Sequence, residues 1–331
     1  MPVRNLMLLQ DLLLIALGLL GLFFGGNWVV KGAARFALSL GVSTLIVGLT
    51  IVAFGTSLPE LFVSLDAALQ GVSDIAVGNV VGSNIANIGL ILGLTALVFP
   101  VAVKRQVIRR DLPIMLIVSL ILLVLIQNRE ISRVEGLLLF GGIVAYTVIS
   151  YVLELRERRA APAEAEDTIE SEFGPDPRHA NRLFELGRLS LGLIAVVIGA
   201  NWLVQGSVNI ATALGVPKLI IGLTLVAVGT SLPELATSLI ASLHKENDIA
   251  VGNIVGSNIF NILSILGLTA TVKPIGINQR VLEVDGFIML FFSFALLFFV
   301  LGGKIKRWQG GLLLTSYMIF TIWAFTTHGG L

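Results

Sequence analysis

The sequence predicts an all-α membrane protein of ten transmembrane helices, arranged as two inverted-topology repeats of five helices each. Three observations lead to this fold class: a scarcity of charge, a series of apolar stretches, and a sequence that repeats itself. Of 331 residues, 56% are hydrophobic and only 13% are charged, whereas soluble domains carry about 25% charged residues. With a net charge of only +1, the composition excludes a soluble globular enzyme, a disordered protein and a nucleic-acid-binding protein.

The ten spans follow from the length of apolar sequence that a membrane requires. A transmembrane helix needs about 20 mostly apolar residues, and short polar segments such as 127–130 separate the stretches that qualify. The predicted spans are 8–30, 43–69, 75–98, 112–127 and 134–153, then 187–206, 217–243, 249–272, 286–302 and 309–327. They divide the chain into a first five-helix unit (1–154), a linker (155–186) and a second five-helix unit (187–331).

The two units contain the same sequence twice. Residues 48–100 and 222–274 align without a gap at a constant offset of 174, with 37 of 53 positions identical. Because each unit has an odd number of spans, the second unit must cross the membrane in the opposite sense. Inverted repeats of this kind occur in secondary transporters, whose substrate site lies near the midplane between the repeats.

The basic residues predict the orientation. Sixteen of the 22 Lys and Arg residues fall in one set of loops and six in the other, and cytoplasmic loops carry the excess of positive charge. We therefore expect a multi-pass protein of the cell membrane with both termini extracellular and the 154–188 linker in the cytoplasm.

Two acidic residues, Glu60 and Glu234, lie in the middle of predicted spans two and seven. A charge at the bilayer centre costs about 3 kcal/mol or more, so such a residue indicates a functional site. Each closes the phrase Gly-Thr-Ser-Leu-Pro-Glu, and its proline, Pro59 or Pro233, lacks the N–H that continues a helix. We expect both helices to break and to leave main-chain oxygens without partners, around 53–56 and 227–230.

Spans three and eight add neutral polar groups. Asn79, Ser83 and Asn87 recur at every fourth position and so share one helix face; their counterparts are Asn253, Ser257 and Asn261. Carboxylates, hydroxyls, amides and carbonyls form an all-oxygen set, which suits a hard cation such as Ca²⁺ or Na⁺. Glycines beside this face, Gly78 and Gly82 with counterparts Gly252 and Gly256, predict close helix packing.

Two further acids, Asp74 and Asp248, begin spans three and eight. A carboxylate at a helix start caps free N–H groups and interacts favourably with the helix dipole. We interpret both as helix caps.

At these residues the sequence resembles the cation/calcium antiporter superfamily, and most closely its prokaryotic sodium/calcium exchangers. The two Gly-Thr-Ser-Leu-Pro-Glu phrases and the two Gly-Ser-Asn-Ile-x-Asn phrases are similar to that family's α-repeats, and the resemblance covers all ten spans. It implies that spans one and six slide as a gate past the other eight. It also implies ion ligands at Ala53, Thr56, Ser57, Glu60, Ser83 and Asn87, and at Ala227, Thr230, Ser231, Glu234, Ser257 and Asn261.

The resemblance also assigns roles within this ligand set. Glu60 and Glu234 would bind Ca²⁺ together with the carbonyls of Thr56 and Thr230, and Ser83 and Ser257 would belong to flanking Na⁺ sites. Position 261 is Asn here, whereas some members carry aspartate, which argues against potassium co-transport.

The leading functional hypothesis is a secondary antiporter that exchanges Ca²⁺ for Na⁺, because two carboxylates neutralise either one Ca²⁺ or two Na⁺. It implies no enzymatic activity, no cofactor, no nucleic acid and no evident protein partner; the ions are its substrates and the bilayer its environment. An H⁺/Ca²⁺ antiporter is the nearest alternative. A cation channel and an intramembrane enzyme with two carboxylates are remote ones.

Overall fold

The computed structural model describes residues 2–160, 181–215 and 227–328. Most of the predicted linker and the first ten residues of the predicted span 217–243 therefore lie outside the described residues. Within the described part, seven helices are long and apolar enough to cross a membrane, or eight if one bent pair counts as a single span. The protein is thus an all-helical membrane protein, and the count of ten spans stays a prediction.

The first half contains eight α-helices. They are α1 (Pro2–Leu40), α2 (Thr44–Val47), α3 (Ala53–Thr56), α4 (Leu58–Leu69), α5 (Ser73–Ala86), α6 (Gly93–Val98), α7 (Leu112–Leu125) and α8 (Arg133–Ala160). Wider π-helical turns extend them at Gly48–Val52, Asn87–Leu92 and Val107–Asp111, and a 3₁₀ turn follows at Ile126–Asn128.

The second half repeats this order. It contains α9 (Arg182–Ala213), α10 (Ala227–Gly229), α11 (Leu232–Leu243), α12 (Asn247–Phe260), α13 (Gly267–Val272), α14 (Gly286–Val300) and α15 (Arg307–His328). Its π-helical turns, Asn261–Leu266 and Val281–Asp285, fall at the same offset of 174 from turns in the first half.

Helix α1 extends ten residues beyond the predicted end of span one, to Leu40. The predicted boundary followed the loss of apolar sequence at Lys31 and Arg35. A helix continues beyond the hydrocarbon when its charged side chains reach water. Hydropathy therefore located the membrane-embedded part of α1 but not its end.

Two small antiparallel sheets join the halves. Strand β1 (Val101–Ala102) pairs with β4 (Lys304–Ile305), and β2 (Glu130–Ile131) pairs with β3 (Ile275–Gly276). Adding 174 to the numbers of β1 and β2 gives β3 and β4, so one sheet maps onto the other when the halves are exchanged. The repeat in sequence is therefore also a repeat in the pairing of its loops.

Helices α5 and α12 form the centre of the molecule, and α12 is buried over its whole apolar length. The expected glycine stripe lies on α12, where the main chain of Gly48–Leu49 packs directly against it. A Cβ at Gly256 would lie 2.5 Å from the carbonyl oxygen of Leu49, so only glycine allows this approach. A Cβ at Gly78 or Gly82 would meet no atom of the described residues within 4 Å, and the positions 174 after Leu45 and Leu49 are outside the described residues.

Asp74 and Asp248 do not cap their helices, so that interpretation was wrong. The cap positions are Val72 and Glu246, and neither makes a side-chain cap bond. Instead, Asp74 accepts a hydrogen bond from Asn278 Nδ2 at 3.3 Å, and Asp248 pairs with Lys104 Nζ at 2.5 Å. Both carboxylates still lie in a first helical turn, where the dipole favours them, but they bind the loops of the opposite half.

Candidate cation site

Both acidic helices break where the sequence predicts. The segment Thr44–Thr56 meets α4 at an angle of 44°, and the connecting residue Ser57 has φ −84° and ψ 5°. In the second half the corresponding residue, Ser231, has φ −89° and ψ 3°. Each proline is the second residue of the helix that follows, a position where no N–H is needed. The predicted break is therefore confirmed in both halves.

The breaks place Glu60 and Glu234 in the first turns of α4 and α11, and each is only 1% exposed. The partial positive charge of a helix N-terminus favours a carboxylate there. Each carboxylate also accepts a hydrogen bond from a serine hydroxyl of the opposite half. Ser57 Oγ donates to Glu234 Oε1 at 3.0 Å, and Ser231 Oγ donates to Glu60 Oε1 at 3.4 Å. These reciprocal bonds bring the two breaks together.

Several oxygens around the breaks are buried without a hydrogen bond to any described residue. Four of them can only accept: the Oε2 atoms of Glu60 and Glu234 and the Oδ1 atoms of Asn87 and Asn261. The hydroxyls of Thr230 and Ser257 belong to the same set. An unsatisfied buried polar group costs about 1–3 kcal/mol, so acceptor oxygens concentrated in this way favour a cation.

The structure places the remaining predicted ligands nearby. Thr56 Oγ1 lies 3.0 Å from Asn253 Oδ1, and Ser83 is buried one turn before Asn87. We expected the carbonyl of Ala53 to lack a hydrogen-bond partner, and this expectation is wrong. The main-chain N–H of Ser57 donates to it at 3.1 Å. In the second half Ser231 N donates instead to Val228, at 3.1 Å. Ala53 and Ala227 as main-chain ligands stay predictions.

Two residues that sequence reasoning missed, Asn84 and Asn258, orient the amides of the site. Asn87 Nδ2 donates to Asn258 Oδ1 at 3.1 Å, and Asn261 Nδ2 donates to Asn84 Oδ1 at 3.0 Å. These bonds engage the amide nitrogens of Asn87 and Asn261 and leave their Oδ1 atoms as acceptors. Asn84 and Asn258 directly follow Ser83 and Ser257 in the sequence but do not belong to the set of polar residues that recurs at every fourth position. Their position next to these serines was the only indication of a role that the sequence offered.

The first members of the stripe, Asn79 and Asn253, hold the broken helices in place. Asn79 Nδ2 donates to the Glu60 carbonyl at 3.1 Å and to Ser64 Oγ at 2.9 Å. Asn253 Nδ2 bonds in the same way to the Glu234 carbonyl at 3.4 Å and to Ser238 Oγ at 3.0 Å. Asn253 makes an additional contact across the halves, because its Oδ1 accepts from Thr56 Oγ1.

This difference predicts that Asn253→Ala is more damaging than Asn79→Ala. Each change removes two donor bonds beside a glutamate, but only Asn253→Ala also breaks the contact between the halves. At about 1 kcal/mol per lost bond, with a further cost for a buried group left unpaired, we expect Asn253→Ala to lower the melting temperature more. Thermal unfolding of the purified variants measures this, and equal losses would show that the Thr56 contact contributes nothing.

A cavity of about 610 Å³ connects the breaks to the surface. Pro59, Gly229 and Thr230 form its inner end, and one wall is the polar edge of α9, formed by Asn201, Gln205 and Asn209. We call it the α9 cavity. The cavity therefore extends to one residue of the candidate site, Thr230.

The charge of the site comes from two carboxylates. Among the residues that the structure describes, no group of three or more His, Cys, Asp or Glu side chains lies together. The ligand set is therefore two acids surrounded by neutral oxygens, which suits hard cations rather than transition metals.

Comparisons with known proteins point in the same direction as this geometry. The sequence model of the family described as "Sodium/calcium exchanger protein" matches residues 11–152 and 184–326. The putative antiporter CaxA of Alkalimonas amylolytica is 40% identical over 299 residues, which cover 88% of this chain and 91% of that protein. The sodium/calcium exchanger MaX1 of Methanosarcina acetivorans is 37% identical over 345 residues, covering 96% and 99%.

A solved structure is similar over nearly the same extent. A structure of the sodium-calcium exchanger NCX_Mj, soaked with Na⁺ and Sr²⁺, superposes with a TM-score of 0.80 at 32% identity and covers 94% of this chain and 97% of its own. These relatives are named as exchangers and antiporters, so they give no support to the enzyme alternative.

Proposed function

This chain belongs to the sodium/calcium exchanger family, and on that premise we propose that it exchanges Ca²⁺ for Na⁺ across the membrane at the site formed by the two broken helices. Ca²⁺ and Na⁺ are its substrates, and it needs no cofactor. The ligands are the twelve residues expected from the sequence, with Glu60 and Glu234 at the centre and Asn84 and Asn258 as positioning residues.

One observation carries the proposal: four acceptor-only oxygens, two from carboxylates and two from amides, are buried without hydrogen bonds from described residues. They lie on segments that pack against each other across the halves, since α4 contacts the turn Asn261–Leu266 and α11 contacts the turn Asn87–Leu92. An apolar ligand would leave such a set unsatisfied. A hard cation satisfies it, since Ca²⁺ takes six to eight oxygen ligands, including carboxylate and amide oxygens.

Obligatory exchange follows from the charge of the site. One Ca²⁺ or two Na⁺ neutralise two carboxylates, so either load gives a site with no net charge. A site that is charged but without an ion would expose two carboxylates to the low-dielectric interior during conversion, which costs several kcal/mol. Conversion between the two access states therefore occurs with ions bound, and the two ions compete for the same carboxylates.

We assign ten spans and inverted topology to this function as part of the proposal. The exchanged strand pairs and the constant offset of 174 support a two-fold relation between the halves. Helices α1 and α9 pack along each other and are largely exposed on their outer sides. This position suits the gate that we propose for them, with both termini outside and the linker in the cytoplasm.

Transport by reconstituted protein tests the proposal and its nearest alternative. Uptake of radiolabelled Ca²⁺ into proteoliposomes is measured once with an outward Na⁺ gradient at equal pH, and once with a pH gradient in the absence of Na⁺. We expect uptake with the Na⁺ gradient alone. Uptake driven only by the pH gradient would identify an H⁺/Ca²⁺ antiporter, and uptake without any counter-ion gradient, down the Ca²⁺ gradient, would indicate a channel.

A further inference from the structure

A second cavity, of about 330 Å³, lies against α1. We call it the α1 cavity. The wall contributed by α1 is Val30, Lys31, Ala34 and Arg35, and the rest is formed by Arg188 of α9 and by His244 and Glu246, which follow α11. None of these residues belongs to the cation site, and the proposed exchange uses none of them.

One wall of the α1 cavity has its counterpart in a wall of the α9 cavity. Adding 174 to the four α1 wall residues gives Val204, Gln205, Val208 and Asn209, and all four line the α9 cavity. The neighbouring contacts correspond as well. Asn209 Nδ2 donates to Asp11 at 2.8 Å, and Arg35 Nη1 pairs at 3.5 Å with Glu185, the counterpart of Asp11. The two cavities thus share one equivalent wall, on α1 and on α9, whereas Pro59, Gly229 and Thr230, where the α9 cavity reaches the candidate site, have no counterparts in the lining of the α1 cavity.

The two cavities differ in charge. The polar wall of the α9 cavity consists of amides, with the Asp11 carboxylate beside them. The wall of the α1 cavity has Lys31 and Arg35 at the equivalent positions, and Arg188 adds a third cation. Glu185, which pairs with both arginines, and Glu246 supply two opposing charges. The α9 cavity, whose other walls are mainly apolar, therefore has one formal negative charge beside it, whereas the α1 cavity is formally positive.

Two unbonded hydroxyls lie on the helix between the cation site and the α1 cavity. Helix α11 runs from Glu234 toward His244, and on it Thr237 and Ser242 are buried with hydroxyls that bond to no described residue. The equivalent residues of α4 are Val63, which lines the α9 cavity, and Ala68. Unbonded hydroxyls therefore lie between the site and the cavity on α11 but not at the equivalent positions of α4.

We propose that the α1 cavity is the entrance to the cation site from the opposite face of the membrane, and that Lys31 and Arg35 make it an electropositive entrance that slows the capture of Ca²⁺. This inference rests on the proposed exchange function. Charge at an entrance changes association rates by tenfold to a thousandfold. Because the energy scales with the charge of the ion, Ca²⁺ is slowed more than Na⁺ on this face.

Sided transport kinetics test the inference. In right-side-out and inverted vesicles, the KM for Ca²⁺ is measured on each face for the wild type, Lys31→Gln and Gln205→Lys, at low and high concentrations of N-methylglucamine chloride. We expect Lys31→Gln to lower the KM at least threefold on one face, and Gln205→Lys to raise it on the other. Both effects shrink at high ionic strength, where the Debye length falls to a few ångströms.

Lys304→Gln is the matched control, because it removes the same charge from an exposed residue away from either cavity. It is expected to leave both KM values unchanged. Unchanged KM values in Lys31→Gln, or effects of both cavity variants on the same face, would overturn the inference while Na⁺-driven flux persists. A wild-type protein without Na⁺-driven Ca²⁺ flux would instead refute the proposed function, so the two failures are distinguishable.

Discussion

Glu60→Gln and Glu234→Gln are each expected to abolish Na⁺-driven Ca²⁺ flux. Glutamine has nearly the shape of glutamate. Its side-chain oxygen can still accept the hydrogen bond from Ser231 at position 60 or from Ser57 at position 234, so the broken helices remain assembled. The site loses one of its two negative charges, and a bound Ca²⁺ is no longer neutralised. Removing one partner from a buried charge pair costs about 3–5 kcal/mol, which corresponds to a loss of affinity of roughly 100-fold or more.

Flux in proteoliposomes, together with thermal unfolding of each variant, checks this expectation. Glu283→Gln is the control, because Glu283 is an exposed acid at the start of the segment leading to α14. We expect Glu283→Gln to transport like the wild type, and the two site variants to unfold near the wild-type temperature without transporting. Full activity in either Glu60→Gln or Glu234→Gln would refute the site assignment.

Gly199→Leu is expected to separate the two gate helices. A Cβ at Gly199 would lie 2.8 Å from the carbonyl oxygen of Gly18 and 2.8 Å from the main-chain nitrogen of Leu22. Neither main chain can yield as a flexible side chain does, so α1 and α9 must move apart. Overpacking of this kind costs about 1–3 kcal/mol and occasionally more. We expect a lower melting temperature and at least a tenfold loss of Ca²⁺ flux.

Gly187→Leu provides the matched comparison on the same helix. A Cβ at Gly187 meets no atom of the described residues within 4 Å, and leucine favours helix by about 1 kcal/mol over glycine. This variant should be at least as stable as the wild type and should transport normally. If both leucine variants behave alike, close packing of α1 on α9 is not needed for transport.

Much of the fold followed from the sequence because its signals are local. The proline in each Gly-Thr-Ser-Leu-Pro-Glu phrase predicts a break, and both breaks occur at the preceding serine. The fourfold spacing of Asn79, Ser83 and Asn87 predicts a shared face, because helix geometry fixes it. Helix ends were less predictable, since α1 continues to Leu40 past Lys31 and Arg35, the two basic residues that follow the predicted end of the span.

The parts that sequence reasoning missed depend on contacts between distant residues. The roles of Asn84 and Asn258 arise only when the two halves meet and each amide finds its partner across the interface. The hydrogen bond that Asn278 donates to Asp74 likewise joins residues 204 positions apart, so a helix cap was the natural local interpretation. The Ala53 carbonyl was expected to be unpartnered, but the N–H of Ser57 still reaches it.

Equilibrium binding of radiolabelled Ca²⁺ to the purified protein, titrated with Na⁺, measures whether both ions use the two carboxylates. We expect one Ca²⁺ per chain, displaced by Na⁺ with a dependence steeper than first order, because more than one Na⁺ replaces each Ca²⁺. We also expect Glu60→Gln and Glu234→Gln each to abolish the Na⁺-sensitive binding. Ca²⁺ binding that is unaffected by Na⁺, or that persists in both variants, would contradict a shared site built on these two carboxylates.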